Sequence, residues 1–138
     1  MARRKTVAVS RAEAGLYLAK AQQFLAEAKA AQEAARSDAI MLNAIHAAIS
    51  ASDAVTAALS GLRSADPDHQ HAVDLLEEVA GKSGEIKARG RQIRQLLGRK
   101  NVVEYESRRA TVKEARETLE RAGRIVTWAE ETVRRANV

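Results

Sequence analysis

The chain has 138 residues, 46% of them hydrophobic and 30% charged, with a formal net charge of +5. That is one globular domain's worth of core and excludes a disordered or multi-domain chain. The absence of cysteine excludes disulfides, thiol catalysis and cysteine-ligated zinc or iron–sulfur centres.

The opening "MARRKTVAVSRAEA" is basic but has no apolar h-region, and no window reads as a run of apolar residues long enough to span a bilayer. A soluble cytoplasmic protein with no membrane partner is therefore expected. Residues 1–9 read as a basic N-terminal arm and 10–138 as a single helical bundle. Much of the apolar content is alanine, with one proline and few aromatics. Such a composition favours helices that approach each other closely.

Ser10 followed by Glu13 has the spacing of a capping box and predicts a helix start. Leu18, Ala21, Leu25 and Ala28 then recur at helical spacing, with Tyr17 and Phe24 beside the stripe, out to about Arg36. Ser37-Asp38 offers the next N-cap. The helix after it, "AIMLNAIHAAISASDAVTAALSGL", is apolar almost all the way round and belongs in the middle of a bundle, ending at Gly61. "RSADPDHQ" reads as a connection, with Pro67 in or just before a third helix that carries Val73, Leu75, Leu76 and Val79 and stops near Gly81.

A fourth pattern, Ile86, Ile93, Leu96 and Leu97, is interrupted by Gly84 and Gly90 and is expected to end near Gly98. Thr111 and Glu114 form a second capping-box spacing, opening a last helix through Ala115, Leu119, Ala122, Val126, Ala129 and Val133. No strand alternation competes. The fold expected is all-α, an antiparallel up-and-down bundle of four to five helices.

Charge is unevenly placed along this layout. Residues 66–80 hold five acids and no Lys or Arg, whereas residues 82–100 hold seven cations and one glutamate. Such polarity can steer a phosphate-bearing partner, although paired helix faces are its simpler explanation.

Three stretches resemble the HEPN domains, small helical bundles found widely in prokaryotes. These are the alanine-rich "HAAISASDAVTAAL", the "GRKNVVEY" before the last helix, and the closing "TVKEARETLERAGRIVTWAEETV". The resemblance covers roughly residues 12–135. It implies an all-α bundle and, in active members, a metal-independent ribonuclease. Those members carry an Arg followed after four to six residues by a His, with two motifs facing each other across a homodimer. The imidazole would move a proton at the 2′-hydroxyl or leaving oxygen while the arginine steadies the phosphate charge. Here Arg99 is followed after five residues by Tyr105, whose ordinary pKa of about 10 makes it a poor base. The resemblance therefore implies a degenerate nuclease centre.

Other candidates follow from the residues themselves. Arg63 and His69 satisfy the spacing formally but lie between the second and third helices, where a surface loop explains them. His69 with His71 is a weak metal signal, and no metal or cofactor is expected. His46, Ser50 and Asp53 share one face of the apolar second helix. Asp53 needs a cationic or hydrogen-bonding partner and could pair with Arg99, Arg108 or Arg109, with His46 restoring an imidazole beside them. A register-fixing polar group is the simpler reading of His46. Arg99, Lys100, Asn101, Arg108 and Arg109 are the candidate RNA- or phosphate-binding residues. Asn101 could instead cap the following helix, Tyr105 and Trp128 read most simply as packing residues, and Glu104 lies beside Tyr105.

Three functions are compatible with this reading. The first is a non-catalytic HEPN-like protein that binds RNA, nucleotide or a protein partner as a homodimer. By resemblance, that partner would be a nucleotidyltransferase-like protein of a toxin–antitoxin module. The second is a helical interaction scaffold without nucleic-acid affinity. The third is an active metal-independent endoribonuclease using His46 or Tyr105 in place of the absent histidine.

Overall fold

The computed structural model describes residues 5–66 and 69–138. The described chain forms β1 (Thr6–Ala8), a 3₁₀ turn (Arg11–Glu13), α1 (Ala14–Glu33), α2 (Ser37–Ser60), β2 (Leu62–Ser64), α3 (Ala72–Ala80), α4 (Gly84–Glu104) and α5 (Val112–Ala136). The all-α bundle expected from the periodicity is present. Both capping boxes form, Ser10 with Glu13 opening the turn into α1 and Thr111 with Glu114 opening α5. Neither Ser37 nor Asp38 caps α2: Ser37 is its first helical residue, Arg36 stands at the N-cap without a side-chain bond, and Asp38 accepts a 2.8 Å hydrogen bond from the Ala110 amide. Pro67 lies outside the described residues.

α2 is the hub and touches all four other helices. Met41, Ala44, Ile45, Ala47, Ala48, Ala51, Val55 and Ala58 are all withdrawn from water. Only a narrow stripe of this helix reaches the surface. By length and composition α2 would also qualify to cross a membrane, contrary to the expectation that no segment does. In this fold, 72% of its most apolar window is buried inside the bundle. The stripes foreseen on the outer helices pack onto α2: Ala21 and Ala28 from α1, and Ala115, Leu119, Ala122, Val126 and Ala129 from α5.

Two features differ from the sequence expectation. First, part of the N-terminal arm is a strand: Thr6, Val7 and Ala8 pair antiparallel with Ser64, Arg63 and Leu62. This ribbon is placed by the end of α2. Gly61 adopts the left-handed conformation that ends the helix, its carbonyl accepts from the Val9 amide at 2.9 Å, and Arg11 Nε donates to the Ala58 carbonyl at 2.7 Å. Second, α4 continues past Gly98 to Glu104. Val102 and Val103 extend its apolar stripe onto the core, and Lys100 reaches Glu104 one turn on at 3.6 Å.

Gly90, read as a helix-weakening residue, has a packing reason. A Cβ there would lie 2.9 Å from Cγ1 of Val73, which is wholly buried, so α3 and α4 can approach this closely only at a glycine. Gly90→Val is therefore expected to destabilise the fold by about 2 kcal/mol, read as a lower midpoint in thermal or urea unfolding. A variant as stable as the parent would contradict this packing.

Candidate functional site

The polar stripe of α2 consists of Asn43, His46, Ser50 and Asp53, spaced along one helix face, with Ser50 buried and the other three half-buried. α1 runs antiparallel beside it and contributes Lys20, Gln23, Phe24 and Glu27, which with Asn43 and Ser50 line a groove of about 620 Å³. Phe24 faces His46 across this seam, their ring centroids 5.4 Å apart and their planes tilted by 31°. Phe24 was read from the sequence only as flanking the first helix's stripe. Its position opposite His46 follows from folding α1 back on α2 through the short turn at 34–36.

The expected meeting of Asp53 with Arg99, Arg108 or Arg109 does not occur. Asp53 sits at the Arg63 and Lys20 end of the stripe and makes no ion pair or side-chain hydrogen bond among the described residues. Burial drives its pKa up to about 7, against a smaller opposing pull from Arg63 and then Lys20. His46 lies two turns toward the other end, where the C-terminal turns of α4 arrive. Its pKa is lowered, first by burial and then by Lys100, with Glu104 opposing. The two polar groups of α2 therefore belong to different neighbourhoods. The separation follows from the crossing of α4 over α2, a tertiary feature with no local sequence signal.

Arg99 turns away from α2 toward α5. Its Nη1 donates to the Glu114 carbonyl at 3.0 Å and to Thr118 Oγ1 at 2.9 Å, and its Nη2 donates to Glu117 Oε2 at 3.0 Å. Thr118 is fully buried and Glu117 is held below the usual carboxylate range chiefly by the arginine. Arg99 is thus a clamp between α4 and α5, which otherwise meet over a short stretch. Lys100 pairs with Glu104, and Arg108 binds Glu114 through both Nη atoms and also reaches Glu106 at 3.4 Å. Those contacts to Arg108 and the Thr111 amide hold Glu114 down at about 2.

Tyr105 follows α4 and is 77% exposed, so the packing role foreseen for it is wrong. Asn101 is exposed and caps no helix by its side chain; α5 is capped by Thr111. Trp128 is buried in the core, as its packing reading had it. His71 sits between Asp66 at 3.2 Å and Asp74 at 3.3 Å, and Asp74 in turn bonds Arg94 at 2.8 Å, joining α3 to α4. Arg63 donates to the Ser64 carbonyl at 3.2 Å. No group of three or more His, Cys, Asp or Glu side chains gathers as a metal site among the described residues.

Of the candidate cations, Arg109 is the one left without an acid partner among the described residues. With Arg36, Ser37, Asp38 and Ala39 it lines a cleft of about 470 Å³ at the N-terminal turn of α2. Arg36 was missed in the sequence because it falls in a short turn and meets Arg109 only through the fold. Asn43 Nδ2 donates to the Ala39 carbonyl at 2.9 Å, so this cleft and the Phe24–His46 groove adjoin along one face of α2.

An all-α bundle with a polar seam on its central helix and an arginine at the α4–α5 corner defines the class of protein. The HEPN domain model matches residues 14–132, and the chain belongs to the HEPN family. Searches of curated proteins and of solved structures return no match.

Asp53 gives a pH test. Its folded pKa of about 7 exceeds the ordinary 3.8, so the folded state holds the proton longer and stability falls as pH rises from about 4 to 7, then levels. The loss is on the order of a few kcal/mol. Asp53→Asn removes it, so the variant should gain in melting temperature over the parent across that window. His46 slopes the other way on acidification, which is why the difference between the two proteins is the quantity to measure. Parallel curves would refute the assignment.

Proposed function

We propose that this HEPN-domain protein binds RNA without cleaving it. The observation that carries the reading is the engagement of Arg99. Its guanidinium is committed to Glu117, Thr118 and the Glu114 carbonyl, and the chain has no histidine at the motif position beside it. An arginine spent on α5 is not available to steady a transition-state phosphate. What supports RNA as the ligand is the adjoining pair of sites on α2. Arg36, Arg109 and the free amides of the helix start suit a phosphate. The Phe24–His46 pair, flanked by the Gln23 and Asn43 amides, suits an unstacked base. The proposal extends to a cytoplasmic homodimer acting with a nucleotidyltransferase-like protein in a toxin–antitoxin module; support for that part is the family relationship alone.

The second reading, a protein-interaction scaffold without nucleic-acid affinity, draws on the ion pairs that occupy Arg99, Lys100 and Arg108. The two are separated by fluorescence anisotropy with an unstructured oligoribonucleotide. RNA binding is expected, with intact product. The double change Arg36→Ala and Arg109→Ala should weaken it at least about tenfold and reduce the log–log salt slope by about 1.4, two single-strand phosphate contacts' worth. Arg99→Met should leave affinity alone and lower stability by about 1–2 kcal/mol. No binding at physiological salt favours the scaffold. Cleavage that Arg99→Met abolishes would restore the enzyme.

A further inference from the structure

The groove between α1 and α2 sorts its hydrogen-bonding groups by kind. Lys20, Phe24 and Glu27 stand at i, i+4 and i+7 on α1, so all three share the face that lines it. The two helices run antiparallel with Phe24 against His46. One turn along each therefore sets Lys20 opposite Ser50 and Glu27 opposite Asn43. The Lys20 end holds donors, an ammonium and a hydroxyl, and the Glu27 end holds acceptors. Asn43 spends its Nδ2 on the Ala39 carbonyl at 2.9 Å, which leaves Oδ1 on the side of the Glu27 carboxylate. The Phe24 ring lies between the two ends.

These groups are unspent. Ser50 is only 9% exposed, yet it lines the groove, and its hydroxyl makes no hydrogen bond among the described residues. Glu27 makes no ion pair or hydrogen bond there either. Lys20 feels Asp53 but forms no ion pair with it. A nearly buried hydroxyl without a partner, between helices that also hold an unpaired cation and an unpaired acid, calls for a ligand that supplies the complements.

The spacing and the order of the groups say which ligand. Lys20 and Glu27 are two turns apart, about 10 Å along the helix axis. That span suits a planar ring system lying on Phe24, with a hydrogen bond of about 2.9 Å at each end. An unpaired RNA base has that shape, and the four bases differ in what their edges present. Adenine and cytosine each carry one amino group and no ring N–H. Uracil has a ring N–H flanked by two carbonyls, which a carboxylate repels. Guanine alone sets a ring N–H, at N1, beside an amino group, giving two parallel donors to one carboxylate, with the acceptors O6 and N7 beyond them.

We infer that the α1–α2 groove selects guanine among unpaired RNA bases. Glu27 accepts from N1–H and the 2-amino group, with Asn43 Oδ1 beside it. Lys20 and Ser50 donate to O6 and N7, and Phe24 carries the ring. The inference rests on the RNA reading above and adds the identity of the base to it.

The test is fluorescence anisotropy of the full chain with short oligouridines that carry one central guanine, adenine, cytosine or inosine, against the all-uridine strand. Guanine should tighten binding at least about tenfold over uridine, adenine and cytosine. Inosine, which keeps N1–H and O6 but lacks the 2-amino group, should bind about fivefold more weakly than guanine. Glu27→Gln should bring the guanine strand close to the all-uridine affinity while the circular dichroism stays helical. Ser50→Ala should narrow the same gap without changing all-uridine binding. The double change Arg36→Ala and Arg109→Ala should weaken every strand and preserve the guanine ratio, which separates base from phosphate. Equal affinity for all strands overturns the guanine assignment and leaves the RNA reading standing. A preference for adenine or cytosine, or one for guanine that survives Glu27→Gln, does the same. Failure of every strand to bind overturns both.

Discussion

The structure depends on the near-complete burial of α2. A helix of small apolar residues can sit at the centre because alanines at 44, 47, 48, 51, 54, 57 and 58 let neighbouring helices come close on several sides. Once those sides are covered, Asn43, His46 and Asp53 remain half-buried along one polar stripe, with Ser50 buried between them. The stripe is too narrow to be fully solvated. Asp53 is charged only at a cost and His46 resists protonation, both because α1 and its neighbours shade them from water. The polar seam and the tight core are two consequences of one packing arrangement.

The same packing redirects the cations of residues 99–109. α4 and α5 have little apolar contact where the chain turns between them, and polar links hold that corner instead. Arg99 spans to Glu117 and Thr118, Arg108 to Glu114, and Asp38 reaches from α2 to the Ala110 amide. Partly exposed ion pairs of this kind contribute modestly to stability. The two arginine links also occupy the Arg99 and Arg108 guanidiniums. Arg109 and Arg36 escape, and they escape at the start of α2, where unfilled helix amides also point outward.

Much of the fold was legible from local patterns. Both capping boxes lie within four residues and form as their spacing implies. The α1 and α5 stripes face the core because a 3.6-residue period allows no other placement of their apolar side chains. The errors came where a local rule met a distant partner. Gly98 looked like a helix end, but Val102 and Val103 had core to reach. The basic N-terminal arm gave no strand signal because its strand partner, residues 62–64, lies more than fifty residues away. Tyr105 looked like a packing residue because aromatics are scarce, yet its place just beyond α4 leaves it outside.

By itself the sequence determined the helical class, the central position of α2, the helix starts and the family, since each rests on periodicity or on contiguous motifs. It also showed Tyr105, not a histidine, at the sixth position after Arg99. Only the tertiary structure decided that Asp53 and Arg99 live apart, that Phe24 meets His46, and that Arg36 joins Arg109. Those are contacts between helices, and their geometry depends on where whole elements cross, which no spacing along a single helix encodes.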